Sequence, residues 1–127
     1  MSLAVLQRVQ KHLDDAGLLT GYETKYFRWT DADVANAEPF VLFRQSGETG
    51  SDEFVQGILV QITLVTVPTG VVSADALMTE IARLFRVDGS EAGAFRFDVQ
   101  GGVVGPMYLD NGRPVFTLDV RVMTEDQ

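Results

Sequence analysis

The chain predicts an α+β fold, with two helices packed on one face of a mainly antiparallel β-sheet. Three observations carry this. Residues 3–16 repeat apolar side chains at helical spacing. A long apolar stretch over residues 54–67 is followed closely by a second amphipathic, capped helix. Residues 114–123 alternate apolar and polar side chains, as a strand with one wet face does. With 127 residues, of which 46% are hydrophobic and 22% charged, residues 1–127 are expected to form a single domain that buries a core without covalent staples.

In the first helix Leu3, Leu6, Val9, Leu13 and Ala16 share one face, Ser2 stands at the N-cap, and Gly17 occupies the position where a left-handed residue ends a helix. Asp14 and Asp15 lie at its negative dipole end and call for a counter-charge or solvation. Residues 22–29 mix aromatic and charged side chains with strand character, and the polar run 30–38 breaks the pattern before Pro39. A short strand is expected over residues 40–45, and residues 46–53 (SGETGSDE) have the composition of a hairpin loop. The return strand of residues 54–67 then exceeds its partner, which predicts either a bulge or bend at Gly57 or an arm projecting from the body. Pro68 and Gly70 end it.

Ser73 is expected to cap the second helix, with Asp75 in its first turn and Arg83 and Arg86 in its last, the charge order that the helix dipole favours. Ala74, Leu77, Met78, Ile81, Leu84 and Phe85 form its apolar stripe, and Gly89 stops it. Residues 94–100 and 103–109 predict two short strands about Gly101-Gly102, and Asp110-Asn111-Gly112 predicts a tight turn. In the final strand Phe116, Leu118, Val120 and Val122 face one way, and Thr117, Asp119 and Arg121 the other.

Little in the chain is suited to catalysis. Without cysteine there are no disulfides, thiolate nucleophiles or thiolate-bound zinc. His12 is the only histidine, no serine lies in a nucleophile elbow, and the glycines form neither a phosphate loop nor a dinucleotide fingerprint. No enzyme, cofactor or metal centre is expected. The formal charge of −8 repels a phosphate backbone, so no sequence-specific nucleic-acid partner is expected either. No stretch approaches the roughly 20 apolar residues of a membrane span, and the N-terminus lacks the zones of a signal peptide, so the expected location is cytoplasmic. Asp31, Asp33, Glu38, Glu48, Asp52 and Glu53 crowd one stretch in which Arg44 is the only basic residue, a solvated acidic rim that would steer a basic partner or repel DNA. Tyr26, Phe27 and Trp29 fit either a core or a binding hot spot.

The helix LAVLQRVQKHLDDAGL, the strand PFVLFRQSG, the strand-turn-helix VQITLVTVPTGVVSADALMTEIARLF and the closing GPMYLDNGRPVFTLDVRV together resemble phage and prophage tail terminator proteins, the group that includes the minor tail protein U of lambdoid phages. The resemblance implies a structural α+β subunit that assembles as a homo-oligomeric, hexameric ring on the end of a completed tail tube. There it stops polymerisation and offers a surface for head joining. Its implied partners are further copies of itself, the tail tube protein and a head-joining protein, with no membrane, and its place is the host cytoplasm and then the virion tail.

The resemblance supplies no residue motif. From the strand-length argument, the subunit interface is expected at Arg44, Glu48, Asp52, Glu53, Phe54 and Arg113, where the acids guard an unpaired edge and select Arg44 or Arg113 of the adjoining chain. The alternatives are another tube or baseplate component of a contractile injection system, or a small-ligand-binding domain. A deep apolar pocket would favour the ligand-binding reading.

Overall fold

A computed structural model describes residues 3–30, 38–49, 55–87, 90–91 and 95–125. Its elements in chain order are α1 (Leu3–Asp15), β1 (Glu23–Tyr26), β2 (Phe40–Thr49), β3 (Val55–Val65), α2 (Val71–Val87), β4 (Ser90–Glu91), β5 (Phe95–Tyr108) and β6 (Pro114–Glu125). Among the described residues the strands form one sheet in the order β1-β2-β3-β6-β5-β4. Every neighbouring pair is antiparallel except β1 with β2, which is parallel. The fold is therefore α+β, as the sequence predicts.

Side-chain alternation and register place the core. Val41, Leu64 and Phe116 form one cross-strand row, Phe43, Ile62 and Leu118 the next, and Val60 and Val120 a third. Leu6, Val9 and Leu13 of α1 and Ala74, Met78, Ile81 and Phe85 of α2 pack with these rows in a single buried cluster. Both helices thus cover the same face. His12 takes part from α1, its ring 5.4 Å from that of Phe85 and 4.9 Å from that of Phe97.

Local chemistry accounts for the helix ends. Gly17, at φ 74°, donates its N–H to Asp14 O at 2.9 Å while Leu18 donates to Leu13 O at 3.1 Å, the paired closing bonds of a left-handed C-terminal cap. Gln10 reaches Asp14 at 3.1 Å and Lys11 reaches Asp15 at 2.8 Å, which supplies the partners those carboxylates call for. Ser2 lies outside the described residues, as does Gly89. The second helix starts at Val71, before the expected cap at Ser73, because Ala74 donates its N–H to Gly70 O at 2.9 Å and closes a turn earlier.

Three strand expectations need correction. First, β2 does not stop at Gln45. It continues through Ser46 to Thr49, and the register shifts between Gln45 and Gly47, so the bulge lies at Ser46 of β2 and not at Gly57. Second, β3 is not overlong: it pairs with β2 from Gly57 to Val65 and with β6 along its whole length, which leaves no unpaired arm within Val55–Val65. Third, the two short strands expected about Gly101-Gly102 are one strand, β5, which absorbs its extra residues in register shifts between Gln100 and Val104 and between Val104 and Met107. Gly105 is needed within the second shift. A Cβ there would lie 2.6 Å from Val115 O, and its φ of 135° is one that side chains rarely adopt. The expected turn does close at Asp110-Asn111-Gly112, where Gly112 donates its N–H to Leu109 O at 2.8 Å.

Leu118 is 1% exposed in the middle of the core rows. Leu118→Ala is expected to lower stability by about 2 to 5 kcal/mol in denaturant melts. A loss below about half a kcal/mol would contradict this placement.

The Tyr26 hydroxyl donates to Gln10 Oε1, joining β1 to α1. Burial, and secondarily the charge of Asp14, raise its pKa above the usual 10.0. A raised tyrosine pKa means that the folded state keeps a proton which the unfolded chain releases, so stability falls as pH rises above the ordinary tyrosine range. In paired denaturant melts, the advantage of the parent over Tyr26→Phe is expected to shrink as pH rises through that range. An advantage independent of pH would contradict it.

Candidate functional site

The face of the sheet opposite the helices carries a different set of side chains. Alternation sends Leu42, Arg44, Gln61, Thr63, Val115 and Thr117 there. At the end of β1 the chain turns sharply about Phe27, whose φ is 74°: Arg28 donates its N–H to Tyr26 O at 2.9 Å, and Phe27 donates to Phe43 O at 2.9 Å. A positive φ at a bulky residue is strained. The turn carries Phe27, Arg28 and Trp29 over this face, where Trp29 meets the ring of Phe40 edge-on at 5.9 Å.

A groove of about 390 Å³ results, lined by the turn on one side and by β2, β3, β6 and Met107 of β5 on the other. Its lining is mixed. Phe27 is 52% exposed, and Met107 is also exposed. Arg44 donates Nε–H to Gln61 Oε1 at 2.8 Å, which holds its guanidinium along the sheet. Among the described residues neither Arg28 nor Arg44 forms an ion pair with a carboxylate. The register puts Asp119 opposite Gln61, and it is the acidic member of that row. Asp119 Oδ1 and Arg121 Nε are shielded from solvent and have no hydrogen-bond partner among the described residues.

The residues expected at an interface are thus distributed unequally. Arg44 lines the groove. Glu48 lies in β2 opposite Ile58. Asp52, Glu53 and Phe54 lie outside the described residues. Arg113 is only 2% exposed: Nε–H donates to Thr66 O at 3.0 Å and Nη2–H to Glu38 O at 2.7 Å, and the guanidinium lies 5.5 Å from the centre of the Phe40 ring. Burial lowers its pKa from the usual arginine value. It works as a strut joining the final turn to the end of β3 and the approach to β2. Of the aromatic trio, Tyr26 and Trp29 pack against the core clusters and Phe27 faces solvent. Arg28 and Met107 are members of the groove that sequence reasoning missed.

No group of three or more metal-binding side chains occurs among the described residues. Among them, too, no helix is long and apolar enough to cross a membrane.

The fold and this face define a small α+β protein with a groove of mixed apolar and cationic lining on the sheet face opposite α1 and α2. The family model described as phage tail termination protein matches residues 2–126, and the chain belongs to that family. No curated protein matches the chain.

Arg113→Ala would leave the carbonyls of Thr66 and Glu38 without their charged donor. Denaturant melts are expected to show a loss of about 3 kcal/mol, with Arg113→Lys recovering only part because an ammonium cannot reproduce the planar fork. An alanine variant within about half a kcal/mol of the parent would remove the strut from the account.

Proposed function

We propose that this protein caps the phage tail tube. Copies assemble as a ring, a hexamer, on the end of a completed tube, block further addition of tube protein and present a surface to a head-joining protein. The observation that carries this reading is the match of the tail termination family over residues 2–126. A groove on the sheet face opposite α1 and α2 supports it, because a protein that works through contacts needs a shaped surface and no reacting groups.

The protein acts as a structural part of the virion tail and not as an enzyme. Its one histidine packs on Phe85 and Phe97 in support of the core. The charge of −8 suits a ring through which DNA passes, since an acidic lumen repels the phosphate backbone.

The test is to add the purified protein to tube protein of the same phage during polymerisation and to measure tube lengths by electron microscopy. Growth is expected to stop, with extra density at one end of each tube. Equal length distributions with and without the protein would overturn the reading.

A further inference from the structure

We propose that the groove of one copy receives the outer face of α2 of a second copy, with Asp75 and Glu80 meeting Arg28 and Arg44 and with Val72 set against Phe27 and Met107. This rests on the ring reading and names the contact that would build the ring.

The first support is where apolar side chains are exposed. The register puts Val104 opposite Thr117 and Met107 opposite Val115, and Thr117 and Val115 line the groove, so Val104 and Met107 lie on the groove face with Phe27. Each of the three is more than half exposed. Val72 of α2 is 80% exposed, the largest fraction among the exposed large hydrophobics of the described residues. Since α2 buries Ala74, Met78, Ile81, Ala82 and Phe85 in the core, Val72 adds nothing to the packing of the monomer. Covering one of these apolar surfaces with the other would remove both from water.

The second support is charge. In a chain of net charge −8, the groove brings two arginines together, and neither has a carboxylate partner among the described residues. Val72, Asp75, Ala76, Thr79 and Glu80 are all exposed and share one stripe of α2, at i, i+3, i+4, i+7 and i+8. The stripe offers an apolar anchor and two carboxylates, the complement of the groove lining. Glu80 meets Arg83 of its own helix at 3.3 Å, but both side chains are more than half exposed, and a pair of that kind is weak enough to exchange partners.

The third support is topology. The groove and α2 lie on opposite faces of one sheet. A contact between them joins unlike surfaces, so it leaves a free groove on one copy and a free helix on the other. Such a head-to-tail contact repeats, and it closes into a ring when its rotation divides the circle. The strained turn at Phe27 fits this role, since it holds an aromatic side chain at the groove rim where the monomer gains little from it.

The test uses two charge-reversed chains, R28E/R44E and D75K/E80K, in which every changed side chain is exposed. Assembly is read by sedimentation velocity and on tail tubes by electron microscopy. Each variant alone is expected to lose assembly by about tenfold or more, because like charges then face each other across every contact. An equimolar mixture is expected to restore it, since a reversed groove then takes a reversed helix and a native groove a native one, in alternation round the ring. Misfolded chains would not rescue each other, so the mixture separates a lost contact from a lost fold. A third variant, Val72→Ser, is expected to keep the thermal melt of the parent and to weaken assembly about tenfold. Any of the three variants assembling like the parent, or a mixture no better than either reversed chain, would overturn the proposal. An R28E/R44E chain that forms rings yet fails to bind tubes would overturn it too and assign the groove to the tube protein. A parent chain that stays monomeric in solution and on tubes would overturn the ring reading itself.

Discussion

The pairing of β3 with β6 is the constraint on which the rest of this structure depends. It runs from Val55 opposite Glu125 to Val65 opposite Val115 with no shift of register. Because strand side chains alternate, this one ladder decides both faces of the sheet at once. Ile62 and Leu118, Leu64 and Phe116, and Val60 and Val120 meet on the helix side. Gln61 with Asp119 and Thr63 with Thr117 meet on the other. A slip of one residue would bring apolar and polar partners together on both faces, so a folded chain has little freedom to shift. Irregularity is displaced outward, to the bulge at Ser46 in β2 and the shifts in β5, while the central pair stays regular.

What was legible in the sequence was whatever depends on near neighbours. The apolar stripe of α2, the cap at Gly17, the turn at Asp110-Asn111-Gly112 and the alternation of Phe116, Leu118, Val120 and Val122 each follow from a few consecutive residues and their own conformational preferences. Ser46 to Thr49 did not yield to the same reasoning. Glycine, serine and acids usually signal a loop, but here β3 offers a ready ladder and cross-strand pairing overrides the local preference. The glycines of β5 misled in the same way: two short strands were expected, yet β6 templates one strand across them.

Charged residues show the same limit. Arg113 follows a turn and reads as a surface cation, but its guanidinium serves carbonyls at Thr66 and Glu38, far away in sequence. The groove is non-local by construction. Residues 27–29, Leu42 and Arg44, Gln61 and Thr63, Met107, and Val115 and Thr117 meet in it, and no window of sequence contains them together. The aromatic character of residues 26–29 was the one signal available, and it could not say that Phe27 alone would face outward.

The arrangement of edges bears on which kinds of contact this surface can make. Among the described residues β4 pairs with β5 only through Ser90–Arg96 and Glu91–Phe95, so most of the outer edge of β5 has no neighbouring strand. A regular edge of that length would invite indiscriminate strand addition. This one is irregular: it contains two register shifts, and Pro106 contributes no N–H to any ladder. From Gly57 to Val65 β3 is paired on both sides, so that stretch offers no unpaired backbone to a neighbour. Backbone augmentation is thus poorly served by these strands, whereas side-chain recognition is well served by the groove face, where shape, charge and an exposed aromatic ring coincide. For a chain of net charge −8, selectivity of that kind has a further physical advantage. General repulsion between copies opposes random contact, and an acidic group brought to Arg28 and Arg44 in the groove would meet attraction where the rest of the surface repels it.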